Sequence, residues 1–183
     1  MTDGPHLDDL AARARRGDAD AFASLYDSLA PRLHRYVRLR VRDPEDAADL
    51  VQQIFLKMIE ALPRYEARGV PFAAWAFRLA RNAIIDRART RRASEPLDAV
   101  ASRAAIEPGP EQLAIVAAER SRIERAMTAL TEEQQEVLRL RFFGGLDPRE
   151  VGSLMGRRDG AVRALQFRAL EALRRALGPE DER

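Results

Sequence analysis

Residues Pro71 to Arg92, PFAAWAFRLARNAIIDRARTRR, decide how this chain is read. At about 100° per residue, Phe72, Ala76, Leu79, Ala80, Ala83 and Ile84 fall on one side of a helix. Trp75, Arg78, Asn82 and Arg89 gather within an arc of roughly 60° on the other side. The apolar side can close a helical core. The other side mixes a ring, an amide and cations, which suits an unpaired nucleic-acid strand, because bases stack on aromatic faces while the backbone seeks positive charge. The competing reading of the same residues is structural: Trp75 closes the core and the arginines form a solvated face.

Upstream the chain also reads as helix. Phe22, Leu25, Tyr26, Leu29, Leu33, Tyr36 and Val37 keep a period near 3.6 across Pro31, which is expected to start a new turn or kink the helix. Asp43 as N-cap and Pro44 at the first helical position, with acids behind them, open a helix to about Leu62. Its apolar arc is Leu50, Val51, Ile54, Phe55, Met58 and Ile59, and opposite lie Asp49, Gln52, Gln53 and Glu60, with Leu56 among them. One apolar residue on a polar face is ordinary. An apolar anchor in a rim of amides and carboxylates is also how a protein partner is held.

Downstream, Thr131-Glu132-Glu133-Gln134 is a capping box opening a helix to about Phe143, ended by Gly144-Gly145. Asp147-Pro148-Arg149-Glu150 repeats the cap before Val151, Leu154 and Met155, and Gly156 ends that short helix. Asp159 is expected to cap a last helix that turns Val162, Leu165, Ala169, Leu170, Leu173 and Leu177 inward. Two capped helices joined by a Gly-containing turn make a helix-turn-helix, whose second helix enters the major groove by its N-terminal residues. Its outward face carries Arg163, Ala164, Phe167 and Arg168, with Arg157 and Arg158 in the turn, where phosphates would lie. An ordinary helical hairpin is the alternative for this segment.

Charge supports a polyanion partner by its distribution more than by its sum. The net charge is only +2, yet residues 72–92 hold six arginines against Asp86, a net of +5, and residues 139–177 hold nine arginines against four acids, again +5. Between them, residues 93–118 set Arg103 against Glu95, Asp98, Glu107 and Glu111, a net of −3. Two basic blocks joined by an acidic strap suggest two contacts with one polyanion. The strap, with Pro96, Pro108, Gly109 and Pro110, also reads as a linker. Lys57 is the only lysine, so the clustering of arginines counts here and the choice of arginine does not.

Composition closes other routes. A chain of 183 residues, 33% charged, suits one or two small domains. With no cysteine and only His6 and His34, thiol catalysis and thiolate metal sites are excluded and an imidazole cluster is not expected. No Gly-rich phosphate loop, long apolar run or signal-peptide pattern is present, so the expectation is a cytoplasmic protein without membrane insertion, metal, cofactor or catalytic residue.

Three stretches together resemble the extracytoplasmic-function (ECF) sigma factors of bacterial RNA polymerase. DPEDAADLVQQIFLKMIEAL (Asp43 to Leu62) is similar to the helix of the family's second conserved region that docks on the polymerase clamp. Pro71 to Arg92 resembles the adjoining part that melts and reads the minus-ten element. Leu130 to Leu177 resembles the fourth conserved region, which reads the minus-thirty-five element. The resemblance implies polymerase contacts at Asp49, Gln52 and Gln53, and gives nearby Leu56 a reason to be exposed. It implies a strand contact at Asn82, a base-accepting loop at Tyr65 to Pro71, and DNA contacts at Arg163 and Arg168. Ala164 and Leu165 stand where the family commonly has Ser-Arg, and Gln166 replaces an inward aliphatic. The expected architecture is all-α: a region 2 domain over 1–92, a linker over 93–112 and a region 4 helix-turn-helix domain over 113–183. The expected partners are core RNA polymerase and promoter DNA, both duplex and melted, with an anti-sigma factor as a further candidate. The alternative function is a stand-alone helix-turn-helix regulator, which would normally dimerise on a palindrome.

Overall fold

The computed structural model describes residues 4–41, 43–66, 69–94, 122, 123 and 125–178. The first helical group comprises α1 (Gly4–Ala14), α2 (Ala19–Arg38), α3 (Pro44–Ala61) and α4 (Phe72–Ser94), with a 3-10 turn at Leu62–Arg64. The second comprises α5 (Glu132–Leu138), a π-helical turn at Arg139–Phe143, α6 (Pro148–Met155) and α7 (Asp159–Leu177). Among the described residues every regular element is helical. The linker expected at 93–112 lies, from residue 95 onward, outside them.

Most helix starts follow from local chemistry. Asp43 Oδ1 accepts from the amides of Glu45 and Asp46 at 2.9 and 3.0 Å. Asp18 accepts from Ala21 N at 3.0 Å, and that bond, with the Arg13 guanidinium beside it, holds its carboxyl below the usual value. Both capping boxes are reciprocal: Gln134 N donates to Thr131 Oγ1 at 3.3 Å and Thr131 N to Gln134 Oε1 at 3.0 Å. Glu150 N donates to Asp147 Oδ1 at 2.8 Å and Asp147 N to Glu150 Oε2 at 2.7 Å. Each such cap contributes about 1 kcal/mol.

Local detail departs from the simplest reading at four places. α2 runs unbroken through Pro31. The lost amide and the ring clash cost about 3 kcal/mol in a helix interior, but Leu25 and Leu29 before it and Leu33, Tyr36 and Val37 after it are all buried, so the helix continues and no new one starts there. The helix after Thr131 widens at Arg139 into the π turn, where Gly144 N bonds Arg139 O at 2.9 Å. Asp159 does not cap α7: Arg158 holds that position without a side-chain bond, and Asp159 begins the helix, where its charge meets the positive end of the dipole. Leu170 is exposed.

One apolar cluster runs through both groups, from Leu7, Leu25, Leu33 and Ile54 to Leu140, Leu146, Val151 and Val162. The two helical groups therefore pack on each other, α4 against α6 and α2 against the π turn. Phe77 is fully buried although it lies off the apolar arc read from α4. That arc covers only the side of α4 facing α1 to α3. Phe77 fills the seam with the second group, its ring edge-on to Tyr36 at 5.2 Å.

Candidate functional site

On α3 the core takes Leu50, Val51, Ile54, Phe55 and Met58, so the opposite stripe turns outward with Asp49, Gln52, Gln53 and Leu56 all exposed. Leu56 is 60% accessible. Ile59, expected on the apolar arc, is 49% accessible instead, one turn beyond Leu56. The outward apolar surface is thus two side chains wide inside a polar rim, the pattern of a protein-binding anchor. Tyr26, also expected inside, is partly exposed and leans on Phe55 with ring centroids 4.5 Å apart. Arg87 of α4 pairs with Asp46, tying the stripe's helix to the next.

Arg78, Asn82 and Arg89 are exposed on α4. Trp75 is not a free ring on the same face: it is half-buried, 4.9 Å from Tyr65 and 5.2 Å from Phe72. Together these three rings wall the segment that precedes α4. Burial pushes the Tyr65 hydroxyl up to about 12, with Asp8 adding to the effect, so it stays protonated and donates to Val70 O at 2.9 Å. Asp8 of α1 accepts from Phe72 N at 2.6 Å and caps α4 from outside its own segment. Sequence reading missed Asp8, because its partner lies 64 positions away. Residues 67 and 68 of the expected base-accepting loop lie outside the described residues. Arg78 donates to the Ser153 carbonyl of α6 at 3.4 Å.

In the helix-turn-helix, Arg163, Phe167 and Arg168 face outward from α7, with Phe167 66% accessible. Arg158 is exposed in the turn, whereas Arg157 donates to both carboxylate oxygens of Glu133 at 2.7 and 2.8 Å. Gln166, at the position of an inward aliphatic, is half-buried and accepts from Arg141 Nε at 2.9 Å. Arg141 also bonds Leu146 O and so staples the π turn to the recognition helix. Burial raises the Glu150 carboxyl above its ordinary value, against the opposing bond from Asp147.

The seam holds charges that sequence reading did not single out. Glu136, 6% accessible, accepts from Tyr36 Oη at 2.8 Å and pairs with Arg40. The Arg40 guanidinium lies 4.7 Å from the Tyr36 ring centroid. Arg32 donates to Gly144 O at 2.7 Å and to Gly145 O at 3.2 Å, and Arg35 to Phe143 O at 3.3 Å. A cleft of about 500 Å³ opens beside them, lined in part by Arg40, Arg81, Ile84, Glu136 and Arg139. Burial, with Arg40 nearby, brings the Arg139 guanidinium down to about 10. The available signal was Glu136 itself, a carboxylate next to Val137 and four residues before Leu140, on the face that the apolar spacing assigns to the core. Among the described residues no group of three or more His, Asp or Glu is placed to hold a metal, and no helix is long and apolar enough to cross a membrane.

Comparison with known proteins matches residues 25–94 to the Sigma-70 region 2 family and residues 126–175 to the Sigma-70, region 4 family. The ECF RNA polymerase sigma factor BldN of Streptomyces coelicolor is 33% identical over 188 aligned residues, covering 100% of this chain and 69% of BldN. The ECF RNA polymerase sigma factor SigD of Mycobacterium tuberculosis is 36% identical over 177 residues, covering 93% of this chain and 84% of SigD. Among solved structures, CnrH in complex with the cytosolic domain of CnrY superposes with a TM-score of 0.65 at 25% identity, covering 90% of this chain and 92% of CnrH.

Proposed function

The chain belongs to the ECF RNA polymerase sigma factors and directs transcription initiation, and on that footing we propose how its surfaces divide the work. The α3 stripe of Asp49, Gln52, Gln53 and Leu56 docks on core RNA polymerase. The observation that carries this assignment is Leu56, held outward at 60% accessibility within a polar rim on a rigid helix. Asn82 and Arg89, with the half-buried Trp75 that Tyr65 and Phe72 hold in place at the head of α4, receive the melted minus-ten strand. Extruding a base costs a few kcal/mol and that cost differs between sequences, so recognition and melting become one event. α7 enters the major groove at the minus-thirty-five element with Arg163, Phe167 and Arg168, while Arg158 meets phosphate. Arg78 and Arg157 join these contacts once released from Ser153 and Glu133.

The chain supplies recognition and no catalytic group, needs no cofactor, and works in the cytoplasm, where polymerase and template are. CnrH is solved with a bound cytosolic domain of CnrY, and a comparable anti-sigma partner is part of the proposal. A stand-alone regulator would leave the α3 stripe and the aromatic wall without a role. The test is co-elution of the purified chain with core polymerase, followed by transcription from a duplex promoter. A chain that binds palindromic DNA as a dimer and neither joins core nor supports a transcript refutes the reading.

A further inference from the structure

We propose that Asp8 is a positioning residue for promoter melting: from α1 it fixes the first turn of α4 and so aims Trp75 at the melted strand. The inference rests on the strand-binding assignment above for what the aim accomplishes, and on the contacts of Asp8 for the aim itself. None of the surfaces assigned so far gives α1 a task.

The need for an outside partner is written at the head of α4. Its first internal bond runs from Trp75 N to Pro71 O at 3.1 Å, so the amides of Phe72, Ala73 and Ala74 come too early to find an acceptor within the helix. Pro71, just before the helix, has no side-chain oxygen to offer them. All three residues are buried, which keeps water away as well. Asp8 Oδ1 takes the first of these amides at 2.6 Å, and its carboxylate stands at the positive end of the α4 dipole. α1 can be the fixed side of this bond because Leu7, Leu10 and Ala11, around Asp8, are buried in the core.

From the amide the constraint passes to the rings. Holding Phe72 N also holds the Phe72 ring, whose centroid lies 5.2 Å from that of Trp75 and 5.2 Å from that of Tyr65. Tyr65, 4.9 Å from Trp75, is tied down in turn. Burial first and the Asp8 charge second raise its hydroxyl to about 12, so it stays protonated and donates to Val70 O at 2.9 Å. Tyr65 and Phe72 are buried and Trp75 only half so. Trp75 alone of the three therefore keeps surface for a base, while its remaining surface rests on two rings that are held from outside α4. Extrusion of a base costs a few kcal/mol, and a ring recovers that cost only if it already stands where the base arrives. Asp8 thus acts through Trp75, without touching DNA.

Trp75 is the only tryptophan in the chain, so the fluorescence of the free full-length protein reports on this ring alone. Asp8→Ala should move its emission to the red and raise its quenching by acrylamide, and Asp8→Asn, whose amide oxygen still accepts from Phe72 N, should restore both. In holoenzyme assembled from the full chain and core polymerase, the readout is the open fraction of a duplex promoter by permanganate. Loss of a whole base–ring stack lowers an equilibrium constant by about 5- to 150-fold, so a ring displaced yet still present should lower the open-to-closed ratio near the bottom of that range, about fivefold. Asp8→Asn should recover the loss. In a Trp75→Leu background, which keeps an apolar contact for Tyr65 and Phe72 but has no ring to aim, Asp8→Ala should have no further effect. Should Asp8→Ala lose helix content by circular dichroism, Asp8→Glu, which keeps an acceptor but moves it by one methylene, carries the same comparison. Unchanged Trp75 emission and quenching overturn the proposal, as does a defect in opening that is equally large with and without the Trp75 ring, or an Asp8→Asn variant no better than Asp8→Ala. If Trp75→Leu opens the promoter as the wild type does, the strand-binding assignment of Trp75 fails, and the fluorescence alone decides whether Asp8 holds the ring.

Discussion

Replacing Gly152 by alanine should separate the effect of the helix-turn-helix seam from that of helix propensity. Gly152 lies inside α6, and an added Cβ would sit 2.5 Å from the Arg157 carbonyl oxygen, 3.5 Å from its carbon and 3.6 Å from Val162 Cγ2. The nearest obstacle is backbone, so no rotamer can move aside. The turn between α6 and α7 must retreat by several tenths of an ångström, straining the bond from Arg157 N to Gly152 O, now 2.9 Å. Overpacking of this kind costs about 1 to 3 kcal/mol, and a weakened buried hydrogen bond adds up to about 1. Against this, alanine in a helix interior gains about 0.5 to 1 kcal/mol over glycine. The net is a loss of up to about 3.5 kcal/mol, or a Tm lower by up to roughly 14 °C in a chain of this size. Gly160 is the internal control, because a Cβ there meets nothing within 4 Å and the propensity gain should appear unopposed. Thermal melts of both variants, with binding to a duplex carrying only the minus-thirty-five element, measure the difference. If Gly152→Ala is as stable as Gly160→Ala and binds that duplex normally, the close approach described here is wrong.

Leu56→Asp with Gln53→Ala should abolish retention of the chain by immobilised core polymerase while leaving Tm close to wild type, since both side chains are off the core; normal retention would remove the α3 stripe from docking. Asn82→Ala should slow permanganate-detected opening of a duplex promoter more than it weakens upstream-element binding, and a template pre-opened at the minus-ten region should recover part of the loss; an equal defect on both templates would limit Asn82 to strand binding. Glu150 has a folded-state carboxyl raised above its ordinary 4.5 by burial. Its ionisation therefore costs stability above the folded value and costs nothing below about 4.5, where both states are protonated. Glu150→Gln keeps an acceptor for the Asp147 amide, so its stability relative to wild type should be greatest near neutral pH and shrink on acidification; a difference that grows on acidification would contradict the burial argument.

What was legible in the sequence is what neighbours along the chain decide. Caps at Asp43, Thr131 and Asp147 need only an oxygen within three residues of an orphan amide, so they follow from spacing. The outward stripe of α3 and the outward face of α7 follow from the helical period once the core side is recognised. The period fails where a second element meets a helix on another side. Phe77 stands off the apolar arc of α4 and is buried because the π turn covers it, and Trp75 shares the angle of Arg78 and Asn82 yet is half sequestered by Tyr65 and Phe72. Ile59 and Leu170 share angles with core residues and are exposed all the same, since no other element among the described residues buries them. Glu136 carries the same lesson. Its carboxylate is stable in the seam only because Tyr36 and Arg40, 100 and 96 positions earlier, arrive to satisfy it. Local hydrogen bonds and periodicity are short-range terms written within a few residues; the burial of a charge or a ring is set by whichever distant surface excludes water from it, and only the packed chain decides which surface that is.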